Sequence, residues 1–258
     1  MLNRLKKRVW EAVRCTRHNW LHLHQFKLSY DGRLWHLTDQ SGLHLQFPFY
    51  PYNNAHEAEG YLRLGRWQLE EGMVVVDGGA CYGDFSLYAS RRVGKTGRVL
   101  MVEPDPANIA EAKQLFALNG GLPQNVEIVP AGLWRSHEIL RFAAGRGQLT
   151  YVLSADEAPP PGATISEIPV ESLSSLVERY GLKRLDFVKL DIEGSELEMM
   201  ETAQEVMTRF SPWFSIASYH LRDNQMTAVK LQQMFHDMGY QSEFGFPAHP
   251  TTWAARQL

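Results

Sequence analysis

The chain has 258 residues, 44% of them hydrophobic and 21% charged, with a formal net charge of −3. That is enough apolar material for one α/β domain with an extension, and the slightly acidic balance argues against nucleic acid as a partner. No apolar run approaches the ~18 residues of a membrane span, and the basic N-terminus lacks the apolar core of a secretory signal, so the expected location is cytoplasmic.

Residues 1–24 read as a helix, with Leu5, Val9, Trp10 and Val13 on one side and Arg4, Lys7, Arg8, Arg14 and Arg17 elsewhere. Its basic face suits weak association with a membrane surface, without insertion. His18, His22 and His24 follow, but no Cys or carboxylate cluster joins them into a metal set. Residues 26–30 and 33–37 flank Asp31-Gly32, a strong hairpin signal, and Gly42 marks the turn into a third strand over 43–47. The aromatic and proline-rich stretch 47–52 must be irregular chain, lining an acceptor pocket or packing on the core. A helix is expected over 54–70, stopped by Gly72. Residues 1–70 are thus expected to form an accessory cap on a unit over 71–258.

From Gly72 onward strands and helices alternate, the mark of a doubly wound, mostly parallel sheet. The β-branched run Val74-Val75-Val76 ends at Asp77, and Gly78-Gly79-Ala80-Cys81-Tyr82-Gly83 makes a tight loop before helical spacing resumes at Phe85. A second apolar strand, 98–102, stops at Glu103-Pro104. A right-handed crossover sets Glu103 beside the first loop, so two carboxylates and a glycine loop face one crevice.

Glu103 is suited to accept hydrogen bonds from both hydroxyls of a ribose. The spacing Gly78, Ala80, Gly83 imitates the dinucleotide fingerprint, but Asp77 directly before it repels a pyrophosphate and attracts an ammonium group. S-adenosylmethionine has an ammonium, a ribose and no phosphate. A nicotinamide-dependent oxidoreductase and a non-catalytic cofactor-binding interaction protein stand as alternatives. Cys81 reads as a small packing residue, since Cys15 and Cys81 match no zinc or disulfide framework.

Asp105-Pro106 opens a helix over 107–119 and Gly120-Gly121 closes it. A strand over 126–130 leads to Ala131-Gly132-Leu133-Trp134, expected to face the same crevice and touch the adenine. Short strands at 139–142 and 150–153 precede an exposed proline-rich connection at 157–162. A helix over 170–180 precedes a strand over 185–190 that ends in Asp191-Ile192-Glu193-Gly194. Ser195 and Glu198 have capping-box spacing for the next helix. The strand 214–218 ends in Tyr219-His220, a helix covers 226–238, and 241–246 with 251–254 can close the fold as an antiparallel hairpin.

Two of these stretches resemble a known family. Val76-Asp77-Gly78-Gly79-Ala80-Cys81-Tyr82-Gly83 with Glu103-Pro104, and Leu185-Asp186-Phe187-Val188-Lys189-Leu190-Asp191-Ile192-Glu193-Gly194-Ser195-Glu196-Leu197-Glu198, are similar to the FkbM family of S-adenosylmethionine-dependent methyltransferases. The resemblance covers roughly residues 70–245. It implies a class I methyltransferase fold, Rossmann-like, with seven strands of which the last is antiparallel. It also implies methylation of an oxygen on a small molecule or glycan. Gly78 stands where a branched apolar residue is commoner, and Ser218 where many members resemble a strand-end glutamate.

The expected cofactor-binding residues are Asp77 for the methionine amine, directly or through water, Gly78, Gly79, Ala80, Tyr82 and Gly83 for the loop, Glu103 and Pro104 for the ribose, and Ala131 and Gly132 for the adenine. Open α/β sheets bind ligands at the carboxyl ends of their strands, which nominates His220, Asp191 and Glu193 for catalysis. His220, able to titrate near neutrality, is the expected base. Asp191 orients the acceptor or, with Glu193 and His220, holds a divalent cation. The metal assignment stays open, as does the formation of a homo-oligomer.

Overall fold

The computed structural model describes residues 13, 26–51, 60–144, 150–153, 164–222, 224–247 and 249–258. The expected N-terminal amphipathic helix with its histidines, residues 54–59 of the next expected helix, and the proline-rich connection 157–162 lie outside them.

The first sheet is antiparallel, in the order β1 (Phe26–Tyr30), β2 (Trp35–Asp39) and β3 (His44–Phe47). Its first turn occupies residues 31–34, so β2 starts later than the sequence suggests. The reason is the Asp31 side chain, whose Oδ1 accepts from the backbone N–H of both Arg33 and Leu34 at 2.7 and 2.8 Å and stabilises a wider bend. Trp35, Leu37, Leu45 and Phe47 are buried at alternate positions. Asn119 fastens this sheet to the main body, accepting from Gln46 N–H and donating to Gln46 O, both at 2.8 Å. The helix expected to run to residue 70 ends early. Residues 60 and 61 are helical, a 3₁₀ turn covers Arg63–Gly65, and Gly65 takes a φ of +80° that stops the helix.

The main body begins with β4 (Val74–Gly78), α1 (Asp84–Val93), β5 (Arg98–Val102), α2 (Pro106–Leu118) and β6 (Val126–Val129). Then come β7 (Gly132–Leu133), β8 (Glu138–Ala144), β9 (Thr150–Leu153), β10 (Thr164–Glu171) and α3 (Leu173–Arg179). The remainder is β11 (Phe187–Leu190), α4 (Glu196–Met200), α5 (Gln204–Phe210), β12 (Trp213–Ala217), β13 (Leu221–Arg222), β14 (Gln225–Met226), α6 (Thr227–Asp237), β15 (Gln241–Gly245) and β16 (Thr251–Ala255). The central sheet has the order β15-β16-β12-β11-β4-β5-β6. Its strands β6, β5, β4, β11 and β12 are mutually parallel, and β16 runs antiparallel to both β12 and β15. The doubly wound sheet with its antiparallel last strand is therefore present. No described helix is long and apolar enough to cross a membrane.

Alternation along the strands divides the core. Val75, Val99 and Met101 pack with Phe85, Trp67 and Phe187 on one face, and Val74, Val76, Leu100 and Val102 pack with Leu173, Val206 and Phe214 on the other. Trp253 Nε1 of β16 donates to Gly60 O at 2.6 Å, tying the segment before β4 to the end of the fold.

Two expectations fail here. Residues 164–171 form a strand where the sequence reading began a helix at 170, and β10 joins β7, β8 and β9 in a second sheet. The helix starts only at Leu173, because the Ser172 hydroxyl caps it by accepting from Ser175 N–H at 3.1 Å. The Ser195/Glu198 capping box also does not form. Ser195 makes no side-chain cap, and Glu196 Oε1 instead takes the N–H groups of Ile192 and Gly194 at 3.0 and 3.3 Å.

Candidate functional site

β4 and β5 pair with Gly78 opposite Val102, so Glu103 begins where the glycine loop begins. The loop folds over the strand ends, with Gly79 and Ala80 N–H both donating to Val102 O. Cys81 N–H donates to Glu103 Oε2 at 2.8 Å, while Glu103 Oε1 accepts from Asp105 N–H at 2.9 Å and Asn108 Nδ2 at 3.1 Å. Burial raises the Glu103 pKa and these donors oppose the rise. A carboxylate has roughly four acceptor positions, so about one remains toward the crevice. Glu103 thus positions the loop while keeping an acceptor position toward the crevice.

Asp77 lies deeper. Its carboxylate has no exposed surface, with Oδ1 3.0 Å from Lys189 Nζ and Oδ2 accepting from the Ser86 hydroxyl at 2.6 Å. Of the two expected forms of the amine contact, this burial favours the one through water. Parallel pairing sets Lys189 opposite Asp77 on β11 and β4, and the ammonium also donates to Gly79 O at 2.8 Å, with the Tyr61 ring 5.2 Å away. The exposed end of the loop carries another acid, half-buried Asp84, missed by the sequence reading. Burial and the neighbouring Asp77 charge push its pKa up to about 6 against the pull of Lys189. Two carboxylates share one lysine at this loop.

Gly79 has a φ of +68°, and a Cβ there would stand 1.8 Å from Asp191 O. Gly78 is also closely held, where a Cβ would meet Leu133 at 2.6 Å and Leu190 at 2.8 Å. Gly83 takes a φ of +71° above Ala112 and Phe116. Tyr82 is exposed, its ring 5.8 Å from Phe49 of the stretch after β3, and Pro104 is half-buried. Burial, with Asp84 and Glu103 adding to it, pushes the Cys81 thiol up to about 12, which fits packing over redox chemistry.

The glycine loop therefore abuts Asp191, the centre of a second cluster. Tyr61 and Tyr219 hydroxyls donate to its Oδ2 and Oδ1 at 3.1 and 3.2 Å, and His249 Nε2 lies 3.5 Å from Oδ2. Burial raises the Asp191 pKa, but His249, Lys189 and His220 outweigh it and hold the carboxyl below its ordinary value. His220 Nε2 lies 3.8 Å from Asp191 and 3.6 Å from Glu193, and Nδ1 lies 3.2 Å from Glu196. All three expected catalytic residues are thus together.

Their charge states bear on the division of labour among them. Burial pulls the His220 pKa down, but the facing carboxylates of Glu193, Glu196 and Asp191 push it up to about 10. A raised pKa favours the protonated ring, whereas a general base must start unprotonated. Tyr61, Glu196 and His249 escaped the sequence reading. For Glu196 a signal existed, a third acid within six residues of Asp191 in a turn rich in carboxylates. A cavity of about 470 Å³ lies elsewhere, lined by Leu197, Glu198, Arg222, Lys230 and Met234, and includes no member of either cluster.

With this geometry in hand, comparison with known proteins is specific. The family model for the methyltransferase FkbM domain matches residues 77–242. Methyltransferase sdnD of Sordaria araneosa is 28% identical over 164 residues, which cover 51% of this chain and 60% of that relative. A crystal structure of methyltransferase FkbM from Methylobacillus flagellatus KT shares the fold at a TM-score of 0.54 and 20% identity, over 77% of this chain and 47% of that one. Both matches take in less than two thirds of the relative's own length.

Proposed function

The chain belongs to the FkbM methyltransferase family by the match over residues 77–242, and on that premise we propose that it transfers a methyl group from S-adenosylmethionine to a hydroxyl oxygen of a small molecule or glycan. The observation that carries this reading is the contact of Gly79 with the Asp191 backbone, which brings a nucleoside-type loop and an acidic acceptor cluster within one residue of each other. Reactive groups must be held about 3–3.5 Å apart for such a displacement, and adjoining clusters meet that need.

The residues fit the cofactor in charge. Asp77 and Asp84 outnumber Lys189, leaving a surplus negative charge for an ammonium, and the same surplus repels a dinucleotide's pyrophosphate. Asp84 takes the amine contact, Glu103 offers its remaining acceptor position to one ribose hydroxyl, and Leu133 beside Ala131-Gly132 lines the adenine side. S-adenosylmethionine supplies a methyl group activated on sulfonium. Asp191, kept ionised, would accept the hydrogen bond of the acceptor hydroxyl and take its proton as the methyl leaves sulfur for that oxygen, the C–S bond breaking as the C–O bond forms. His220, 3.8 Å away, and the Tyr61 and Tyr219 hydroxyls hold that carboxylate in place. The stretch around Phe49 and Tyr82 borders the acceptor side, the role expected of the accessory cap.

Calorimetry with S-adenosylmethionine and with its demethylated product tests the reading. Saturable binding of both, weakened by Asp84→Asn, supports it; absence of binding, or binding of a nicotinamide dinucleotide instead, overturns it. Transfer of labelled methyl groups into a cell extract then identifies the acceptor.

A further inference from the structure

Asp191, Glu196 and His220 each bring one donor atom into a group whose members all lie within 4.8 Å of one another. Three features separate this group from an ordinary surface ion pair. Glu196 has no exposed surface, and its Oε2 is buried with no hydrogen-bond partner among the described residues. Leaving a buried carboxylate oxygen unpaired is costly, so the position calls for a cation or a donor. Neither nitrogen of His220 makes a well-directed hydrogen bond, although Nδ1 lies 3.2 Å from Glu196 Oε1. Three carboxylates, those of Asp191, Glu193 and Glu196, surround this one imidazole at 3.2–3.8 Å.

We infer that Asp191, Glu196 and His220 form a binding site for a divalent first-row metal ion. Ions bonded to nitrogen and oxygen at about 2.0–2.2 Å need their donors roughly 3–4 Å apart, a spacing reached by small side-chain shifts here. Two carboxylates and one imidazole suit manganese or zinc better than calcium, whose sites are all oxygen. The second oxygen of Glu196 stays on Ile192 and Gly194 N–H, which orients the ligand.

The test is titration of Mn²⁺ into the full chain, previously treated with EDTA, following free Mn²⁺ by electron paramagnetic resonance in the absence of any methyl donor. One ion bound per chain, with affinity falling at least about 10-fold in Glu196→Gln and His220→Ala, is the expected result. No binding at millimolar Mn²⁺, or binding that survives both substitutions, overturns the inference. Should Glu196→Gln fail to fold, His220→Ala decides, because that ring anchors no backbone group. Methyl-donor binding measured separately in EDTA keeps a failure of this site distinct from a failure of the proposed function.

Discussion

Lys189 Nζ stands 3.0 Å from Asp77 Oδ1 in the centre of the sheet, and neither side chain is more than 6% exposed. The pair joins the strand before the glycine loop to the strand that delivers Asp191. Removing one partner leaves a buried, uncompensated charge, at a cost of about 3–5 kcal/mol. Lys189→Met and Asp77→Asn are each expected to lower the urea unfolding midpoint strongly, and the double substitution to cost less than the sum. Additive losses would show that the two charges do not act as a pair.

Asp84 makes stability depend on pH. Its folded pKa of about 6 lies above the ordinary 3.8, so the folded state binds the extra proton and stability falls as pH rises between those values, then levels off. Urea unfolding of Asp84→Asn from pH 4 to 7 should lack that fall. A wild-type slope retained in the variant rules out Asp84 as its source.

Gly79→Ala should abolish cofactor binding, because the new Cβ meets the Asp191 carbonyl at 1.8 Å in a backbone of φ +68°. Gly121→Ala serves as the control. It shares the positive φ, +98°, but meets nothing within 4 Å, so only the modest backbone cost of about 1–3 kcal/mol applies and binding persists.

Tyr61→Phe keeps the ring beside Lys189 and removes the hydrogen bond to Asp191 Oδ2. Bonds to charged groups are worth about 1.5–3 kcal/mol, so methyl transfer should slow by roughly 10- to 100-fold with cofactor binding unchanged. Comparing turnover with calorimetric affinity checks this split.

Asn119→Ala removes both bonds to Gln46. Backbone amides of β3 should then exchange with deuterium faster, while those of β4 and β5 remain protected, since only the first sheet loses its fastening.

What could be read from the residues was local. The valine run before Asp77, Asp105-Pro106 at a helix start, paired glycines at its end and the closing hairpin each carry their own stereochemistry, and the structure has them within a residue or two. What escaped depends on partners far along the chain. β10 pairs with β8 across an intervening strand and contains Pro169, which hides its pattern. Lys189 within an apolar run signals a buried counter-charge, but that Asp77 answers it follows only from strand register. Tyr61 and His249 reach Asp191 from segments 130 positions before and 58 after it, which no local spacing reveals.

The placement of β16 between β12 and β15 bears on how the protein comes to be. While a nascent chain still lacks residues 251–255, the apolar strand Trp213–Ala217 is an open edge, and β15 has no neighbour to join. Such an edge invites pairing with other chains. Products of premature termination should therefore clump rather than fold, and synthesis leaves a vulnerable interval that closes only when this one short strand slides home.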